Sequence, residues 1–123
     1  MPLDRIEWIN SLCSRLYVLL QDRFQKEYVY NFNFASQATQ NSIKMMESQK
    51  TEHFEPITTP ATAEVIATVE IGNNDESALV NLVNIWNKSD KHKKLLENNG
   101  SLGIGFAYDG ARFRLYATVR LGE

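Results

Sequence analysis

The chain reads as an α+β fold in which helices are segregated from an antiparallel sheet. Three observations predict this. Apolar residues at three-and-four spacing dominate the chain up to about residue 98. The last stretch alternates strictly on both sides of an Asp109-Gly110 pair. No alternation of strand and helix of the βαβ type occurs, so a parallel doubly wound sheet is not expected. With 123 residues and no internal linker, repeat or low-complexity segment, residues 1–123 are expected to form a single domain with one core.

The elements follow in order. Asp4 is a capping candidate for a first helix reaching about Phe24, with Ile6, Ile9, Leu12, Cys13, Leu16, Tyr17 and Leu20 as its apolar row. "EYVYNFN" alternates and is rich in aromatics, which predicts a short extended piece; Tyr28, Tyr30 and Phe32 are read as sheet packing, with an interface as the alternative. Helical spacing returns from Phe34 to about Gln49, with Phe34, Ala38, Met45 and Met46 inward and the methionines as core filling. "HFEPITTPATAE" contains Pro56 and Pro60, which lack backbone donors, and is expected to be a loop. A short helix is expected from Thr62 to Val69.

Asp75 is a capping candidate for a helix marked by Leu79, Leu82, Val83 and Trp86, and Ser89 for a further short helix, Asp90 to Leu96. The closing hairpin turns at Asp109-Gly110, a pair suited to a type I′ turn. In its second arm Phe113, Leu115, Ala117 and Val119 share one face, and Arg112, Arg114, Tyr116, Thr118 and Arg120 the other. Gly103 and Gly105 stand inside a strand with no helix after them. They predict the close approach of another backbone or a helix, not a phosphate loop.

Composition excludes several classes. The apolar share is 43% and the charged share 23%, which is ordinary for a globular domain and disfavours disorder. A net charge of −2 gives no global attraction to a phosphate backbone, so nucleic acid is not an expected partner. The one cysteine, Cys13, forms no intrachain disulfide and lies in an apolar helix row, where an inert thiol is expected. No apolar run reaches the length of a bilayer span, and "MPLDRIEW" lacks the hydrophobic region of a signal peptide. The chain is therefore expected either to stay inside the cell or to have lost a targeting segment.

Two histidines, His53 and His92, are the residues best suited to chemistry. His53 opens the proline loop. His92 lies among Lys88, Lys91, Lys93 and Lys94, and is either a solvated residue or a ring turned inward while the lysines face water. Neighbouring positive charge disfavours its imidazolium form. No H-E-x-x-H or Cys/His spacing is present, so spacing alone does not define a metal site.

The order of motifs adds a resemblance. "FASQATQNSIKMMESQKTEHF" runs a helix into a loop histidine, and "AEVIATV" supplies Glu64. "LVNLVNIWNKSDKHKKLL" supplies Trp86, Ser89 and His92 at three-residue steps, and "LGIGFAYDGARFRLYATV" closes with Gly103 and Gly105. This succession resembles the CAP superfamily (cysteine-rich secretory proteins, antigen 5 and pathogenesis-related 1 proteins) in a disulfide-free bacterial-type form. Its bacterial-type pattern is Gly-Glu-Asn-Ile-Ala, then Trp-x-x-Ser-x-x-His-Arg-x-x-Ile/Leu-Leu, then Gly-x-Gly. Here Lys93 replaces the arginine, and Ala63-Glu64-Val65-Ile66-Ala67 keeps only the acid and its apolar neighbours.

The resemblance implies a three-layer α-β-α sandwich with a central antiparallel sheet, and a cavity gathering His53, Glu64 and His92. The family's second acid, where present, falls at Ser89. His53, Glu64, His92 and Ser89 are thereby the catalytic candidates, and His53, Glu64 and His92 the candidate ligands of a divalent metal such as zinc, with weak or absent binding expected. The function implied first is a non-enzymatic binding protein, secreted or exposed at the cell surface, that engages a host or cell-surface protein or a lipid. The alternatives are a hydrolase, metal-assisted or using a His/Glu general base, and a sterol- or fatty-acid-binding protein.

Overall fold

A computed structural model describes Pro2–Glu123, with side chains from Arg5 onward. The element order is α1 (Pro2–Phe24), β1 (Val29–Tyr30), α2 (Phe32–Ser48), β2 (Ala61–Glu70), α3 (Asp75–Lys88), α4 (Asp90–Asn98), β3 (Ser101–Asp109) and β4 (Arg114–Gly122). The strands form one sheet in the order β1-β3-β4-β2. β2, β3 and β4 are antiparallel, and the two-residue β1 adds a parallel edge, so the sheet is mixed.

Helices cover both faces, giving the expected three layers. On one face Leu12, Leu16 and Leu20 of α1, Leu79, Leu82 and Trp86 of α3 and Leu96 of α4 bury against Val65, Ile104, Leu115, Ala117 and Val119 of the sheet. On the other face α2 lies directly on β3 and β4. Its approach is permitted by glycine: a Cβ on Gly103 would stand 2.6 Å from the Asn31 carbonyl oxygen, and one on Gly105 would overlap the backbone of Ala38 and Thr39. The reading of Gly103 and Gly105 as points of close packing is therefore correct.

Residues 61–70 form a strand, not the expected helix, and this changes the setting of Glu64. Val65, Ile66, Thr68 and Val69 are β-branched, and β2 pairs with β4 from Ala63↔Leu121 to Glu70↔Arg114. Ala61, Ala63, Val65, Ala67 and Val69 are apolar and buried on one face, while Thr62, Glu64, Thr68 and Glu70 alternate with them, so the two-residue period of a strand is present with Ile66 as its one apolar exception.

Smaller corrections concern helix ends and the hairpin. α1 already begins at Pro2, so Asp4 is not its first residue; the side chain of Asp4 lies outside the described ones. Ile6 is exposed rather than inward. Asn74, not Asp75, caps α3, accepting from the Ser77 backbone N–H at 3.1 Å. The hairpin turn is longer than a two-residue I′ turn: the backbone N–H of Arg112 donates to the Asp109 carbonyl, that of Ala111 to Asp109 Oδ1, and Phe113 takes the left-handed conformation and is exposed. Tyr28 packs as expected and donates to the Leu96 carbonyl at 2.6 Å, whereas Phe32 is exposed at the start of α2.

Candidate functional site

The site is built across the edge strand β2. Two sequence-selected residues meet there, His53 from the loop between α2 and β2 and Glu64 from β2 itself; the third, His92, lies in the first turn of α4 and makes no hydrogen bond to either among the described residues.

Glu64 pairs in register with Arg120 of β4, and Arg120 with Gly103 of β3. All three lie on the face covered by α2, so the carboxylate and the guanidinium are both enclosed. Arg120 is 1% exposed. Its Nε and Nη2 donate to Glu64 Oε1 at 3.2 and 2.9 Å, Nη2 also to the Glu55 carbonyl at 3.2 Å, and Nη1 to Gln37 Oε1 and the Pro56 carbonyl, both at 3.1 Å. All five N–H donors of the guanidinium are used, as a buried charge requires. Glu64 Oε2 meets His53 Nδ1 at 2.6 Å. The result is a chain, Arg120–Glu64–His53, that starts in the core and ends on a ring whose side chain is 49% exposed.

The loop bearing His53 is fastened on both sides of the histidine. Buried Asn41 of α2 donates to the Glu52 carbonyl and to Thr118 Oγ1, both at 3.2 Å. Its Oδ1 accepts the backbone N–H groups of Phe54 and Glu55 at 2.6 and 3.0 Å. Lys44 pairs with Glu55 at 2.9 Å. Five backbone groups of residues 52–56 are thus held by two buried side chains, Asn41 and Arg120. A proline loop without secondary structure becomes a rigid mount.

His92 is half-buried, with its Nδ1 enclosed and without a hydrogen-bond partner. Partial burial, then Lys91 and His53, lower its pKa, so the neutral ring is favoured. Because the folded pKa lies below the usual value of about 6.5, the unfolded chain binds the proton more tightly. Stability is full above that value and falls as pH drops from it through the folded pKa. Urea midpoints measured from pH 7 to pH 5 are expected to decline in the wild type and to decline less in His92→Gln; an equal slope in both would contradict this.

Ser89 caps α4, its Oγ accepting from the His92 backbone N–H at 3.4 Å, and among the described residues it makes no hydrogen bond to an imidazole nitrogen. Cys13 is also removed from chemistry: burial pushes its thiol up to about 12. Trp86 is buried and donates from Nε1 to the Ile66 carbonyl at 3.0 Å, occupying an acceptor on the free edge of β2. Sequence reasoning missed Arg120, Gln37 and Asn41. A usable signal was present for the first: if Gly103 and Gly105 admit a helix, that face is covered, and an arginine alternating with Thr118 and Tyr116 on it is interior and needs an acid.

The three-layer sandwich is a CAP-like fold, on the comparison with solved structures. No protein-family model matches the chain, and no curated protein does. Among solved structures, the chain is similar to an outer surface protein from Borrelia burgdorferi, with 15% identity, a TM-score of 0.63, and 95% of this chain and 93% of that chain covered. It is similar to an extracellular protein containing an SCP domain from Bacillus anthracis (18% identity, TM-score 0.63, 93% of this chain and 41% of the other). A third is the venom allergen-like protein 4 of Schistosoma mansoni (13% identity, TM-score 0.53, 94% and 86%). The CAP-like fold is thereby shown.

Proposed function

We propose that this chain is a non-enzymatic binding domain acting outside the cell or on its surface, and that the cleft around His53, Glu64 and His92, with its loops, recognises a host or cell-surface protein. One observation carries the reading. Neither imidazole has a side-chain hydroxyl or thiol as a hydrogen-bond partner among the described residues, so no nucleophile has a base to activate it. An external location is supported by the similarity to an outer surface protein and an extracellular protein, and no described helix is long and apolar enough to cross a membrane.

The test has two arms. Incubation with a broad peptide and ester library, with zinc and with chelator, is expected to give no turnover; turnover abolished by His53→Ala or His92→Ala would overturn the reading in favour of a hydrolase. Binding to an array of purified cell-surface and matrix proteins is expected to fall at least about tenfold in His53→Ala, the size of a modest interface hot spot. A second reading, acyl-chain binding, is favoured by a separate groove of about 440 Å³ lined by Cys13, Ser14, Tyr17, Tyr30 and Phe32. Saturable uptake of labelled palmitate, blocked by Ser14→Trp, would support it, and a flat titration would remove it.

A further inference from the structure

We infer that Arg120 is the resident cation of this site: it balances Glu64 where the CAP resemblance would place a divalent metal, and it is the positioning residue for His53. The metal implied by that resemblance would be held by His53, Glu64 and His92. As a three-ligand set they do not fit it, because Glu64 is already engaged. Glu64 Oε1 already accepts two N–H groups of Arg120, and Oε2 stands 2.6 Å from His53 Nδ1. Two donors of one tetrahedral zinc, each at about 2.0–2.2 Å, stand roughly 3.4 Å apart. The observed pair stands at hydrogen-bond distance instead. A guanidinium does not lose its charge in a protein, so the balance is permanent, and a second cation brought to the same carboxylate meets like charge.

The same group also fixes geometry. Arg120 donates to the Glu55 and Pro56 carbonyls while holding Glu64, so one buried side chain orients both the carboxylate and the backbone just after the histidine. With Nδ1 engaged by Glu64, Nε2 is the nitrogen that His53 presents to a partner, on a ring that is half exposed. Arg120 and Glu64 therefore fix the orientation of that nitrogen without a metal. Among the described residues no three His, Cys, Asp or Glu side chains are grouped to hold an ion.

The test reads imidazole nitrogens and zinc uptake in the intact chain. Long-range 1H–15N spectra of the wild type are expected to show His53 as the Nδ1–H tautomer, unmoved by equimolar zinc, with no saturable heat in calorimetric titration. Stoichiometric zinc binding that shifts the His53 and His92 nitrogens would overturn the inference. In Arg120→Met, which removes the like charge beside Glu64, zinc affinity is expected to rise by about tenfold or more and the single tautomer to be lost. Arg120→Lys, which keeps the charge, is expected to retain more of the wild-type tautomer. A folded Arg120→Met with unchanged tautomer and zinc affinity would also overturn it, and if that variant does not fold, the wild-type spectra decide.

Discussion

Arg120→Met is expected to destabilise the protein by about 3–5 kcal/mol, the loss associated with removing one member of a buried ion pair. The side chain of Glu64 is fully buried, and in this variant its remaining partner is a single histidine nitrogen. The Gln37 side-chain oxygen and the Glu55 and Pro56 carbonyls lose their donors as well. Urea unfolding of the variant against the wild type measures the effect; a change below about 1 kcal/mol, the level of an exposed ion pair, would show that the pair is solvated.

The second large effect is expected at Gly105. A Cβ there would overlap the backbone of Ala38 and Thr39, and backbone cannot swing aside as a flexible side chain can. Gly105→Ala must lift α2 from the sheet, weakening the 2.8 Å bond from Ser42 Oγ to the Gly105 carbonyl. The loss is expected to be roughly 3 kcal/mol, the upper end of the overpacking range. Gly72→Ala, where nothing lies within 4 Å of the added atom, is the control and is expected to change little. Because α2 also carries Gln37 and Asn41, Gly105→Ala is expected to broaden the amide signals of residues 52–56. Wild-type stability in Gly105→Ala would contradict the packing described.

These two positions also show how far sequence reasoning reaches. Gly105 was readable because a glycine within an alternating strand has few purposes, and close packing is the commonest of them. α3 and α4 were readable from apolar spacing, with Ser89 as the cap between them, and the meeting of His53 with Glu64 from the order of motifs. The strand β2 was misread as a short helix although its two-residue period is present: Ala61, Ala63, Val65, Ala67 and Val69 alternate with Thr62, Glu64, Thr68 and Glu70, and only Ile66 interrupts the pattern. That error hid Arg120. Placed in a helix, Glu64 has no cross-strand neighbour; placed in β2, it stands opposite Arg120 by register alone. Asn41 was hidden for another reason: its four hydrogen bonds reach a loop and a strand whose positions depend on the tertiary fold.

The site thus consists of an exposed imidazole held by a buried acid, which is held in turn by a buried base. A double-mutant cycle on Glu64 and Arg120 tests this most directly. Glu64→Leu and Arg120→Met are measured singly and together by urea unfolding. If the two groups form one enclosed pair, the double variant is expected to be more stable than Arg120→Met alone, with a coupling of at least about 2 kcal/mol, because an apolar pair of similar volume leaves no charge stranded. Additive losses, with the double variant less stable than either single one, would contradict it.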